Sequence, residues 1–142
     1  MVYRNHLFLL TILLVSITSS NAQNTVIRKQ IKDIHFNARP VSHVDVREIG
    51  LAPGQAGPLH KHPCPVVGYI ISGSALYQAK GQAPITLRAG DAFYEPANVV
   101  ITHFDNASKT EPVRFVINYL MDKEKEFIIL LDNNEQLIPA TK

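Results

Sequence analysis

The stretch GPLHKHPCPVVGYIISG, Gly57 to Gly73, sets two histidines one residue apart between a glycine-bearing approach and a Pro-Cys-Pro turn, and then runs into apolar residues. In an extended chain alternate side chains share a face, so His60 and His62 point the same way, about 7 Å apart along the backbone. Two imidazoles so placed can converge on one ion, with nitrogen-to-metal distances near 2.1 Å for zinc. The alternative is a pair of surface histidines beside a turn. The run that follows, Val66 to Ser72, is rich in branched and aromatic residues and reads as a strand.

Outward from this segment the chain repeats the same texture. Val26–Ile34, Ser42–Leu51, Ala75–Ala79, Ile85–Arg88, Ala92–Glu95, Val99–Phe104, Val113–Met121 and Phe127–Leu131 are short, branched or aromatic runs. Turn formers such as Ala52-Pro53-Gly54-Gln55, Lys80-Gly81-Gln82 and Arg88-Ala89-Gly90-Asp91 part them. Val113 to Leu120 alternates most clearly: Val113, Phe115, Ile117 and Tyr119 share one face, with Arg114 and Asn118 on the other. No helical period of useful length occurs, so the expected class is all-β, a sandwich or barrel. Gln136 to Lys142 read as a loose end.

The first residues have a different character. Arg4 precedes an apolar run from Leu7 to Ile17, and Ser20-Asn21-Ala22 ends it with small residues. That order predicts a cleaved secretory signal over 1–22, and the run is too short for a spanning helix, which needs about 20 apolar residues. The expected mature chain, 23–142, is one domain, secreted or periplasmic, with no stable membrane anchor. Removal of 22 of the 142 residues leaves 120, and the loss of Arg4 leaves 13 basic against 12 acidic residues, a net charge of +1. A nearly neutral chain without a basic stripe argues against nucleic acid as a partner. Cys64 is the single cysteine, so no internal disulfide can form and packing must supply stability.

Two ordered motifs then carry a resemblance. Gly54, five residues, His60-x-His62 and a later Gly73 are similar to the first motif of the cupins. Gly90-Asp91-Ala92-Phe93-Tyr94-Glu95-Pro96-Ala97-Asn98 resembles the start of their second motif. The likeness runs from about Val44 to Leu120. It implies a double-stranded β-helix, a jelly-roll barrel whose mouth holds a metal or small ligand. It also implies a homodimer, for which Val113–Met121 and Phe127–Leu131 are the expected interface.

The sequence departs from the family pattern where the metal ligands belong. The cupin glutamate after the second histidine is replaced by Val66, and the histidine of the second motif by Ile101. Asn98 stands for the turn glycine, a mild change because Asn tolerates a left-handed backbone. His103, two residues past Ile101 and of the same parity, is the candidate third ligand. It lies about 6.6 Å too far along the strand and needs a bulge or a longer loop after Pro96 to come into register. The expected metal set is therefore His60, His62 and His103, around a divalent Fe, Mn, Ni or Zn ion. Cys64 could ligate but sits in a turn between two prolines, where a buried thiol at the barrel rim is the simpler reading. His43, on a face with Asp45 and Arg47, reads as surface, and His35 belongs to the amino-terminal arm. Glu95, opposite in parity to Tyr94, is not placed at the metal.

Three functions follow. An incomplete metal set with a small organic ligand suits a binding protein, its pocket lined by Val66, Ile101, Tyr69 or Tyr77, and Tyr119 around His60 and His62. A completed set suits a metal-dependent dioxygenase or isomerase. The third is a structural or dimer-forming domain without a working site.

Overall fold

A computed structural model describes residues 25–138. The expected signal segment lies outside the described residues. Nine strands follow one another: β1 (His43–Leu51), β2 (His60–Lys61), β3 (Val66–Ser72), β4 (Ser74–Ala79), β5 (Ile85–Arg88), β6 (Ala92–Glu95), β7 (Val100–Asn106), β8 (Val113–Met121) and β9 (Ile129–Leu130). They form a four-stranded sheet in the order β1-β8-β3-β6 and a five-stranded sheet in the order β5-β4-β7-β2-β9. All pairings are antiparallel. The all-β jelly roll expected from the sequence is what the chain forms.

The core follows from the pleat. Along β8, Val113, Phe115, Ile117, Tyr119 and Met121 are buried while the residues between them are not. Phe93 of β6, Phe104 of β7 and Phe115 of β8 meet between the sheets, with ring centroids 4.6–5.9 Å apart. Edge-to-face and tilted contacts of this kind add to the burial of large apolar area. Gly68 on β3 is what admits the Phe93 ring, since a Cβ there would lie 2.0 Å from its Cζ. Gly73 makes the tight β3–β4 turn at φ 76°, a left-handed conformation that strains any side chain with a Cβ.

Two expectations are corrected, for the amino-terminal arm and for the end of the chain. Val26–Ile34 forms no strand; residues 25–42 carry no regular secondary structure, and Val26, Ile27 and Ile31 remain exposed. That arm has apolar residues but pairs with none of the sheet edges. β8 is flanked by β1 and β3, so it offers its outer face and no free edge, and Phe127 packs on the core; the expected two-fold assembly is a separate matter. The end of the chain is not loose up to Ile138: Leu137 bridges to Leu131, and the Gln136 N–H donates to Asp132 Oδ1 at 2.8 Å. Finally, β2 is a strand of only two residues, paired on both sides, with β7 and β9.

No helix among the described residues is long and apolar enough to cross a membrane. The arm is tied to the barrel by an ion pair in which Arg39 donates to Glu124, by Phe36 stacked on Tyr94 and by the Ser42 N–H donating to Met121 O. Glu124 also accepts the Asp122 N–H at 2.7 Å. The Arg39 guanidinium first, and the backbone N–H groups after it, hold the Glu124 carboxyl at about 2, against an ordinary 4.5. A depressed carboxylate stabilises the fold fully above its unfolded value and ceases to do so as pH falls through the folded one. Melting temperatures of the wild type and Glu124→Gln should therefore differ most above pH 4.5 and converge toward about pH 2. A difference that persists unchanged at the acid end would mean that the pair contributes nothing.

Candidate metal centre

β2 brings His60 into the barrel, and His62, two residues on, follows it; the two rings lie 4.9 Å apart, and both are buried. The expected pair is therefore inward. The third expected ligand is not with them. Gln78 of β4 pairs with His103 of β7, but the next pair is Ala79 with Ile101, so Thr102 is an extra residue in β7. This bulge reverses parity: Ile101 and Phe104 point inward, whereas His103 is exposed and its Nδ1 lies 2.7 Å from Asp105 Oδ2. A bulge was one way to bring His103 into register, and the bulge that exists turns it out to solvent.

The carboxylate comes instead from Glu95, the last residue of β6. Glu95 pairs directly with Val66 of β3, and residues opposite one another on neighbouring strands project from the same face. The acid that the cupin pattern would carry at position 66 is thus supplied by the cross-strand neighbour of that position. Glu95 is 1% exposed; its Oε2 lies 2.7 Å from His62 Nε2 and 3.9 Å from His60 Nε2. One ligand atom from each of His60, His62 and Glu95 lies within 4.8 Å of the others. The sequence held a signal for this. Glu95 is in phase with the core residue Phe93, so a strand that buries the ring also buries the acid.

The tautomers are fixed by backbone carbonyls. His60 Nδ1 lies 2.8 Å from Pro58 O, and His62 Nδ1 lies 2.6 Å from Phe127 O. A carbonyl can only accept, so each Nδ1 carries the proton and each Nε2 of a neutral ring offers a lone pair. Those lone pairs face a carboxylate that also only accepts. His62 Nε2 and Glu95 Oε2 are the buried side-chain polar atoms with no hydrogen-bond partner among the described residues. Acceptors converging in a buried place require a positive charge between them, a shared proton or a metal ion. The donor set, with outer N–H groups on backbone carbonyls, is that of a histidine–carboxylate metal centre.

Electrostatics agree. Burial alone would lower the pKa of His60, but the facing Glu95 outweighs it, and the net shift is upward. Burial would likewise raise Glu95, yet the two imidazoles hold it below the usual carboxylate range. Burial and then the Glu95 charge push the Tyr119 phenol up to about 12, so it stays protonated at neutral pH.

Above the centre lies a cavity of about 180 Å³ lined by the three ligands, Tyr119 and apolar residues such as Ile49, Leu51, Phe104, Phe115 and Ile117. The residues expected to line it do not, apart from His60, His62 and Tyr119: Val66 and Ile101 are core, Tyr69 is 38% exposed, and Tyr77 is buried with its hydroxyl donating to Tyr94 O at 2.8 Å. Cys64 is a buried free thiol, and burial raises its pKa; it does not join the centre. The β1 face read as surface is only partly so, because the Arg47 guanidinium lies 3.8 Å over the Phe127 ring. His43 and His35 remain exposed.

Residues 47–119 match the model of the family described as Cupin domain, and the chain belongs to that family. Among solved structures it is similar to the DMSP lyase DddQ from Ruegeria pomeroyi DSS-3, with 21% identity and a TM-score of 0.54 over 61% of this chain and 42% of that one. It is similar to oxalate oxidase in complex with the substrate analogue glycolate, with 23% identity and a TM-score of 0.54 over 61% and 45%. A mutant of Bacillus subtilis oxalate decarboxylase OxdC gives 24% identity and a TM-score of 0.54 over 62% and 24%. The chain thus spans less than half the length of these proteins, and the likeness is one of fold. A search of curated protein sequences gave no match.

The tautomer assignment has a direct readout. Two-dimensional nitrogen–proton spectra of the metal-free protein, taken at a pH where His60 is neutral, should show Nδ1 protonated and Nε2 unprotonated in both His60 and His62. An Nε2–H form of either ring would contradict the carbonyl contacts.

Proposed function

We propose that this cupin binds one divalent transition metal through His60 Nε2, His62 Nε2 and a Glu95 carboxylate oxygen, and presents it to a small organic ligand in the cavity above. The observation that carries the reading is the convergence of two Nε2 lone pairs on one buried carboxylate whose inner oxygen lacks a partner. Two histidines and one carboxylate leave coordination positions open, and their mixed nitrogen and oxygen character suits Fe, Mn, Ni or Zn. Mn(II) centres are named for the similar Bacillus subtilis oxalate decarboxylase. When bound, such an ion polarises a coordinated oxygen as a Lewis acid. The chain's own residues hold the ligand atoms, exclude water with apolar walls and keep Tyr119 as a neutral phenol. The cavity lining has no base beyond the three ligands, so the residues favour binding and polarising a ligand over abstracting a proton from it.

Protein purified without a histidine tag should carry about one metal ion per chain by elemental analysis. Replacing His62 or Glu95 by Ala should weaken metal affinity by more than the roughly 10–100-fold that loss of an outer partner causes. His103→Ala should leave metal content unchanged. Equal metal in wild type and His62→Ala would overturn the reading.

Export and a two-fold assembly complete the proposal. Support for export is the charged start, apolar run and small-residue end of residues 1–22. Support for the dimer is the outer face of the four-stranded sheet, where Val44, Val46, Tyr69 and Ile71 are exposed. The exported product should begin near Gln23 by intact mass and have twice the chain mass by light scattering, falling to the monomer in Val46→Glu. An uncleaved chain, or a monomer in the wild type, would end the corresponding part.

A further inference from the structure

The chemistry of the cavity limits what the centre can take, and this step rests on the metal reading above. Two neutral imidazoles and one carboxylate around a divalent ion leave a net charge of +1. That charge sits at the inner end of a cavity whose other lining is apolar apart from the Tyr119 phenol. A residual charge in such surroundings is costly, and a single negative oxygen ligand cancels it. A second negative group at the far end of the same molecule would meet no cation among the residues that line the cavity. None of the residues lining the cavity is Lys or Arg. Arg47, on the same face of β1 as the lining residues Ile49 and Leu51, is already matched: its Nε lies 3.1 Å from Asp45 Oδ1 and its Nη2 2.7 Å from Asp45 Oδ2. Its guanidinium lies over Phe127, with its Cζ 6.0 Å from the Tyr119 ring centroid, and is not among the lining groups.

Size sets the other limit. A cavity of about 180 Å³ slightly exceeds the ~150 Å³ apolar cavity that accepts benzene. It therefore holds a body of roughly one six-membered ring or a short alkyl chain, with the head group on the centre. We infer that the ligand is a small monocarboxylate with an apolar body, and that dicarboxylates whose second group lies at the far end of that body are excluded.

The test compares matched pairs by calorimetry on the Zn(II)-loaded full-length protein, with metal content measured on each sample. Benzoate is paired with terephthalate, and valerate with glutarate; each pair differs by one distal carboxylate. The monoanion should bind at least about 100-fold more tightly in each pair, because a buried unpaired carboxylate costs several kcal/mol. Metal-free Glu95→Ala should bind neither member measurably. Ile49→Arg, which adds a cation at a half-buried wall position, should narrow the gap by about tenfold or more. Loaded protein that binds both members of a pair equally, prefers the dianion, or binds no carboxylate at all overturns the inference while leaving the metal reading intact. Protein that takes up no zinc overturns the metal reading itself. If Ile49→Arg does not fold, the wild-type pairs still decide.

Discussion

A strand can turn only every second side chain into a barrel, and this constraint places each group of the centre. β2 and the residue after it deliver His60 and His62 by simple alternation. β6 delivers Glu95 because Phe93, two residues earlier, must be in the core. β7 withholds His103 because Thr102 adds one residue and shifts the count. The apolar core and the metal centre are therefore one arrangement. Phe93, Phe104 and Phe115 fill the space between the sheets, and the same pleat that packs them sets the carboxylate beside the imidazoles.

The centre is stable only as a charged assembly with a cation in it. Three acceptor groups meet in a place closed to water, with both outer N–H groups committed to carbonyls. Without a positive charge they would repel one another at full strength in low dielectric. A proton can serve, which accounts for the upward shift of His60 and the downward shift of Glu95. A divalent ion serves better, since it satisfies all three lone pairs at once. The apolar cavity above sharpens the requirement, because it offers Tyr119 as its one further polar group.

Much of this was legible in the residues themselves. Alternation in Val113 to Leu120 and the glycine-punctuated runs disclose the all-β fold, and the spacing of His60 and His62 discloses half of the centre. The other half was hidden by two things that a single chain does not display. One is register: nothing local says that Glu95 lies opposite Val66, because that pairing depends on how β3 and β6 align across some thirty residues of chain. The other is the bulge, which makes parity unreliable past Thr102 and turned a reasonable third ligand outward. The amino-terminal arm misled for a related reason. Val26–Ile34 has strand composition, but β-forming residues make a strand only when they pair, and this segment pairs with none of the sheet edges.

The two histidines are held by different parts of the molecule, and the difference matters for how the centre can respond. His60 is oriented by Pro58 O, two residues upstream on its own segment. His62 is held from three directions. Its Nδ1 meets Phe127 O, its own carbonyl accepts the Asn98 N–H at 2.7 Å, and its Nε2 faces Glu95. Asn98, in the left-handed conformation at φ 63°, sits in the turn that begins just after Glu95, so the turn that fixes one ligand's strand also grips the backbone of another. Phe127, whose ring lies between Tyr119 at 5.2 Å and the Arg47 guanidinium, ties His62 to the segment beside the cavity. A displacement of that segment would reach His62 through the Phe127 carbonyl and His60 through the pairing of β9 with β2. The imidazole and carboxylate that stand 2.7 Å apart are thus preorganised by contacts outside the centre, which lowers the cost of ordering them around an ion.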